Sequence, residues 1–211
     1  MTRHDKPLRR RHGDRQERQR FLIYCEGSVT EEQYFNELRR ELRAATVSIK
    51  LGRHHGEPYR LVEEAIEHQR RAPQRAEDRY ETYDQVWCVF DVEAPQSHPR
   101  LLEATRLANL HDIRCAISNP CFELWLYLHF RPQNRYVTTD AICRLLEGCG
   151  CGYGRDSKRF NFTRLHQRRA TAHAHARQLH ERHGRTLDIV RCNPRTSVDT
   201  LVDELFRNTA T

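Results

Sequence analysis

Short apolar runs alternate with amphipathic helical patterns between residues 20 and 130 of this 211-residue chain. The strongest run, at residues 85–90, has the β-branched and aromatic content of a strand that is buried on both faces. Successive strands that are separated by helices pair in parallel through right-handed crossovers. The sequence therefore predicts an α/β fold in which a central, mostly parallel sheet is flanked by helices.

The spacing of the apolar residues also predicts where the elements lie. We expect strands at residues 20–25, 47–51, 85–90 and 113–117. We expect one helix to begin at a Ser28-x-x-Glu31 capping box and another to follow Pro58. Two more helices are expected at residues 98–110 and 121–128. Beyond residue 131 the pattern predicts a helical C-terminal portion, with segments near 138–147, 161–183 and 197–207 around a glycine-rich loop at 148–154.

The length fits one domain, which we expect at residues 21–211, after a basic arm at residues 1–20. The arm holds eight Lys or Arg and three Asp or Glu, so it carries five of the seven net positive charges. An arm with so few apolar residues cannot offset its ordering entropy, and we expect it to be flexible. It either contacts phosphates or only adds solubility.

No apolar run reaches the roughly 18 residues that a membrane span needs, and the N-terminal residues lack the apolar segment of a secretory signal. We therefore expect a cytoplasmic protein with no membrane partner. Cys149 and Cys151 could bind a soft metal, but no second pair completes a regular zinc spacing. Five further cysteines lie in apolar stretches and are expected as reduced core thiols, namely Cys25, Cys88, Cys115, Cys121 and Cys143.

Acidic residues follow two of the predicted strands. Glu26 ends the first strand, and Asp91 and Glu93 follow the strongest one. Functional groups of an open parallel sheet gather at the carboxyl ends of its strands. Three carboxylates at one edge repel one another unless a hard divalent cation such as Mg²⁺ or Mn²⁺ neutralises them. The alternative is that these acids cap helices or face water.

Glu123 lies among apolar residues on a predicted helix, next to Phe122 and Trp125. A buried carboxylate costs several kcal/mol unless it is paired, protonated or metal-bound. Glu123 therefore needs a partner. The candidates are an internal salt bridge with an arginine, an N-cap interaction near Pro120, or a place in the metal site as a fourth ligand or as support for the ligands.

Four segments of the chain together resemble the RloB-like family, which has a Toprim-like core. They are FLIYCEGSVTEEQYFNEL (21–38), VWCVFDVE (86–93), SNPCFELWLYLHF (118–130) and NPRTSVDTLVDEL (193–205). In Toprim folds a Glu ends the first strand, which here matches Glu26. An Asp-x-Asp pair ends a later strand, which here matches Asp91 and Glu93 with Glu in the second position. The resemblance implies metal ligation by these residues.

The resemblance also implies a biological setting. RloB-like proteins are encoded beside ATPases in bacterial anti-phage or restriction loci, and related Toprim effectors act as nucleases. This chain has no G-x-x-x-x-G-K-[ST] loop, so an ATPase would be a separate partner. In a nuclease, Glu26, Asp91 and Glu93 would hold one or two Mg²⁺ ions that activate water, and Glu31 would support them.

Basic residues beyond the glycine-rich loop are candidates for contact with nucleic acid. Lys158, with Arg155 and Arg159, could bind a phosphate or neutralise the leaving oxyanion as part of the catalytic set. Arg164 and Arg168 on the following helix extend this surface. The alternative is a hydrated surface of ordinary charges.

Two other functions remain open. The chain could be a non-catalytic regulatory or adaptor subunit that docks to an ATPase, and its metal affinity would separate this function from a nuclease. A Toprim-like core could instead carry out phosphotransfer or nucleotidyl transfer. The sequence does not choose between DNA and RNA, and it leaves open whether the protein forms a homo-oligomer.

Overall fold

The computed structural model describes residues 19–42, 47–53, 55–71, 83–184 and 190–207. The strands are β1 (Gln19–Cys25), β2 (Val47–Leu51), β3 (Gln85–Asp91), β4 (Arg114–Asn119) and β5 (Arg195–Thr196). The helices are α1 (Thr30–Glu41), α2 (Pro58–Arg71), α3 (Leu101–Leu110), α4 (Glu123–Leu128), α5 (Thr139–Glu147), α6 (Phe162–His166), α7 (Arg169–His183) and α8 (Val198–Arg207). Strands and helices alternate as far as α4, as the sequence predicts.

The five strands form one sheet in the order β2-β1-β3-β4-β5. The first four pair in parallel, and only β5 is antiparallel to its neighbour. The predicted α/β class with a mostly parallel sheet is therefore confirmed, and so is the helical C-terminal portion. The sequence prediction missed β5, which has two residues and pairs with Ser118 and Asn119 at the end of β4.

The sheet is buried on both faces, which explains why its strands are continuous apolar runs. In β1, Phe21 and Ile23 belong to a core shared with α1, α4, α5, α7 and α8. The alternate residues Leu22 and Tyr24 belong to a second core shared with α2 and α3. Because successive side chains of a strand point to opposite faces, both sets must be apolar.

The predicted capping box, in which Ser28 and Glu31 would each accept the other's backbone N–H, does not form at the start of α1. The helix begins at Thr30, its N-cap is Val29, and no side chain caps it, so the N-cap prediction for Ser28 is wrong. The Glu31 carboxylate does reach back and accepts the Gly27 N–H at 3.1 Å. A Cβ at position 27 would collide with that carboxylate, so glycine lets the two groups approach.

The long helix predicted at 161–183 is divided into α6 and α7. Asn161 caps α6 by accepting the Arg164 N–H at 3.3 Å. Gln167 ends α6 with helical dihedrals, and the chain leaves the helical path at Arg168 before α7 begins. Apolar spacing alone did not reveal this break, because Leu165 and Ala172 are buried on both sides of it.

Residues 1–18 of the predicted basic arm lie outside the described residues, whereas Gln19 and Arg20 belong to β1. The eight cysteines are free thiols, in agreement with the prediction that the core cysteines are reduced. In the part of the chain that the structure describes, no helix combines the length and the apolar character needed to cross a membrane.

Candidate functional site

The first two predicted ligands lie at the same edge of the sheet. Glu26 directly follows β1, and its N–H donates to the carbonyl of Val89 on β3 at 2.9 Å. The Asp91 N–H in turn donates to Glu26 Oε2 at 2.9 Å. Because β1 and β3 are parallel neighbours, their carboxyl ends bring these two side chains together.

Glu93 is held at this edge by an extension of the strand pairing. Val92 and Glu93 donate their N–H groups to the carbonyls of Ser118 and Pro120, both at 2.8 Å. Glu93 has a φ of 66°, in the left-handed region that non-glycine residues seldom adopt. Its Oε2 accepts the Thr139 hydroxyl at 2.7 Å. Backbone and side chain are therefore both fixed next to the start of α5.

Two further acids complete the group. Glu31 and Glu123 occupy the first turns of α1 and α4, and each is 6% exposed. Glu123 Oε1 accepts the hydroxyls of Thr30 at 3.0 Å and Tyr153 at 2.9 Å. The required partners of Glu123 in the described residues are thus two hydroxyls rather than an arginine or an N-cap interaction. We refer to Glu26, Glu31, Asp91, Glu93 and Glu123 as the acidic cluster.

Within the part of the chain that the structure describes, the charges that act most strongly on Asp91 at the centre of the acidic cluster are other carboxylates. Burial raises the pKa of Asp91 well above its usual range, and repulsion from the other four carboxylates raises it further. Burial likewise raises the pKa of Glu31 to about 7, against the opposing effect of backbone N–H groups. Asp91 Oδ1 is buried and has no hydrogen-bond partner among the described residues. An added proton or cation would relieve this cost.

Among the described residues, a histidine that the sequence interpretation missed reaches the acidic cluster. His98, in the loop between β3 and α3, places Nε2 2.8 Å from Glu26 Oε1. The two atoms are within ion-pair distance, although they are not aligned as a hydrogen bond. The backbone N–H of His98 donates to the Val92 carbonyl at 3.2 Å. The only sequence signal was its position just after Asp91-x-Glu93.

Of the predicted basic residues, Lys158 contacts a hydrogen-bond partner of the acidic cluster through its backbone. It is exposed, with a φ of 51°, and its carbonyl oxygen lies 3.4 Å from the Thr30 hydroxyl. Arg159 follows it and lines a cleft of about 350 Å³ that runs along α1 from Ser28 to Arg40. Neither side chain forms an ion pair within the part of the chain that the structure describes.

The other three predicted cations make contacts within the protein. Arg155 pairs with Asp140, and its N–H donates to Glu147 at 3.2 Å. The Arg164 guanidinium donates to the carbonyl of Gly150. The Arg168 guanidinium carbon lies 5.2 Å from the centroid of the Phe130 ring, which is a cation–π contact. Three of the five predicted cations are therefore held by contacts within the protein.

A second group of potential ligands adjoins the acidic cluster. The ligand atoms of Cys121, Glu123 and Cys143 all lie within 4.8 Å of one another, so this group could hold a metal ion. A hydrogen bond from the Cys121 thiol lowers the pKa of Cys143. Among the described residues, no other trio of acidic, Cys or His side chains is grouped as closely, and Glu26, Asp91 and Glu93 are farther apart.

Comparison with known proteins identifies a family. The model of the family described as RloB-like protein matches residues 21–205. Searches of curated proteins and of solved structures gave no match. The matched residues include both acid-bearing strand ends, the start of α4 and most of the C-terminal helices. The chain therefore belongs to the RloB-like protein family.

Proposed function

We propose that this protein hydrolyses phosphodiester bonds in nucleic acid with a divalent cation, Mg²⁺ or Mn²⁺, held by Glu26, Asp91 and Glu93. The observation that carries the proposal is the buried Asp91 Oδ1, which lacks a partner within a cluster of five carboxylates. A hard cation with oxygen ligands would give that atom its missing partner and balance the repulsion.

To hold such an ion, the carboxylates of Glu26, Asp91 and Glu93 would have to come closer together, since their oxygens do not all lie within 4.8 Å of one another. Repulsion between like charges favours separated carboxylates in the metal-free protein, which agrees with the spacing of Glu26, Asp91 and Glu93. Glu26 would exchange its contact with His98 for the ion. When bound, the ion supplies an activated water and stabilises negative charge on the scissile phosphate.

Neighbouring groups have supporting roles in this proposal. Thr139 fixes the Glu93 carboxylate, and the hydroxyls of Thr30 and Tyr153 fix Glu123. Fixed partners of this kind orient metal ligands and tune their basicity. Glu31 and Glu123 add negative charge beside Asp91, and each would act as an outer ligand or through a bound water.

In this proposal the exposed cations Lys158 and Arg159 contact the nucleic-acid substrate. The Lys158 carbonyl accepts the Thr30 hydroxyl, which also donates to Glu123, and Arg159 lines the neighbouring cleft along α1. Cations at the rim of a metal site bind the phosphates on either side of the reacting one. The proposed catalytic set is thus Glu26, Asp91 and Glu93 with Lys158 at the rim.

Membership of the RloB-like family supports a role in bacterial anti-phage defence, with a separate ATPase that controls the nuclease. The experiment incubates the purified protein with labelled DNA and RNA in Mg²⁺, Mn²⁺ or EDTA, with and without the neighbouring ATPase. We expect cleavage that needs the cation and is lost in Asp91→Asn. The matched control is Asp112→Asn, an exposed acid that precedes β4 and should leave cleavage unchanged.

The adaptor alternative gives a different result in the same assay. It predicts no cleavage under any condition and no measurable affinity for Mn²⁺, while the ATPase still binds. Phosphotransfer would leave a product that carries the labelled phosphate on a new acceptor. Either result would contradict the proposed hydrolysis.

A further inference from the structure

We propose that Cys121, Glu123 and Cys143 form a second metal site, distinct from the Glu26, Asp91 and Glu93 set, that binds a thiophilic divalent cation such as Zn²⁺. Each of the three side chains offers one ligand atom, and these atoms lie within 4.8 Å of one another. Sequence spacing gives no sign of such a site, because Cys143 comes from a different helix than Glu123.

The fold brings the three residues together through two packed helices. Cys121 and Glu123 lie on either side of the start of α4, and Cys143 lies in the middle of α5, which packs against α4. Zinc binds sulfur at about 2.3 Å and carboxylate oxygen at about 2.0–2.2 Å, so ligand atoms of one tetrahedron lie roughly 3.5–4 Å apart. A shift of about an ångström in the side chains would therefore complete the site.

The surroundings of this trio suit an ion that enters from one side. Cys121 and Glu123 are buried, whereas Cys143 is partly exposed and offers a path from solvent. The Tyr153 hydroxyl lies 2.9 Å from Glu123 Oε1 and 3.8 Å from Cys143 Sγ. Tyr153 thus holds the carboxylate in place, as hydrogen-bonded neighbours do in known metal sites.

The donor atoms decide which ion binds. Two sulfur atoms and one carboxylate oxygen favour Zn²⁺, whereas Mg²⁺ requires oxygen ligands. Binding converts both thiols to thiolates and releases their two protons to solvent. The resulting three negative charges exceed the two positive charges of the ion by one. Three protein ligands also leave the fourth tetrahedral position open to a water.

The experiment titrates the reduced, metal-free full-length protein with Co²⁺, whose thiolate complexes absorb visible light, and then displaces it with Zn²⁺. We expect a thiolate-to-cobalt band that Zn²⁺ removes. Cys143→Ser should weaken cobalt binding at least about tenfold and diminish the band. Cys149→Ser, a partly buried thiol in the next loop, is the matched control and should keep the band.

Two further measurements separate this site from the acidic one and from misfolding. Asp91→Asn should keep the cobalt band even though it removes a ligand of the proposed Mg²⁺ site. In the unmodified protein, Zn²⁺ should protect Cys143 but not Cys149 from alkylation, as measured by peptide mass spectrometry. The proposal is overturned if the reduced protein gives no cobalt band, if Cys143→Ser keeps it, or if Zn²⁺ leaves Cys143 fully reactive.

Discussion

The acidic strand ends and the basic C-terminal region differ in what fixes their side chains. Glu26, Asp91 and Glu93 follow neighbouring parallel strands, and backbone hydrogen bonds from each of them hold the group at one edge. The predicted cations lie on loops and helices, where Arg155 pairs with Asp140 and Arg164 binds a carbonyl. Strand pairing thus fixes the predicted acids, whereas contacts with single neighbours hold Arg155 and Arg164.

The largest expected effect comes from the substitution of Asp91, which lies at the centre of the acidic strand ends. Asp91→Asn should lower cation-dependent cleavage at least about a hundredfold, because it removes a charged ligand. In metal-free buffer the same variant should unfold at a higher temperature, because it removes a buried and repelled carboxylate. Nuclease assays and thermal unfolding in EDTA test both expectations. A variant with full activity would show that Asp91 holds no ion.

A second prediction concerns the pH dependence of stability. Glu31 has a raised pKa of about 7 in the folded protein, against 4.5 as its ordinary value, so the folded state binds the proton more tightly. The metal-free protein should therefore lose stability as the pH rises from about 4.5 through 7, by on the order of 3 kcal/mol. Denaturant unfolding at pH 5 and pH 8 in EDTA measures this loss.

The control for the pH prediction is Glu31→Gln, which should flatten that part of the profile. Saturating Mn²⁺ should also flatten it, because the ion replaces the proton as the balancing charge. Equal or greater stability at pH 8 in the metal-free protein would contradict the repulsive acidic cluster.

Glu123 gives a smaller and more selective effect. Glu123→Gln keeps an oxygen that accepts the hydroxyls of Thr30 and Tyr153, so we expect less than about 1 kcal/mol of lost stability. Manganese affinity should nevertheless fall by about tenfold, since a charge beside Asp91 is lost. Isothermal titration with Mn²⁺ tests this, with the exposed Glu181→Gln as control. Unchanged affinity would exclude Glu123 from the Mg²⁺ site.

The smallest expected effect is a difference in nucleic-acid binding between variants of Lys158 and Arg155, two cations of the basic C-terminal region. Lys158→Ala should weaken binding to nucleic acid and reduce the slope of affinity against salt by about one, as expected for one lost phosphate contact. Arg155→Ala should change the slope less, because Arg155 already pairs with Asp140. Fluorescence anisotropy over a salt series compares them. Equal slopes for the two variants would show that the ion pair with Asp140 does not prevent Arg155 from contacting a phosphate of the nucleic acid.

Several elements were predictable because their signals are local. The apolar runs of β1 and β3 identify the sheet, and the acids at their ends identify the edge that carries the candidate site. Two-residue β5 has no periodic signal, and its pairing depends on contacts such as Ser118 to Thr196 at 2.9 Å. The break between α6 and α7 was hidden by apolar spacing that continues across it.

The rest of the site depends on tertiary contacts that spacing does not encode. His98 lies in an irregular loop. Thr30 and Tyr153 contact Glu123, although they are separated from it in the sequence by 93 and 30 positions, respectively. Cys121 and Cys143 each fit the expected pattern of a core thiol, and only the packing of α4 against α5 pairs them. Such pairs become visible only when side chains are placed in space.

We propose above that the acidic strand ends bind a divalent cation through Asp91. The most direct measurement is a crystal structure of the protein soaked in Mn²⁺, with the ion located by anomalous scattering. We expect a peak within coordination distance of Asp91 Oδ1, with the Glu26 carboxylate turned from His98 toward the ion. An anomalous map with no peak there, or with Mn²⁺ only at Cys121 and Cys143, would contradict it.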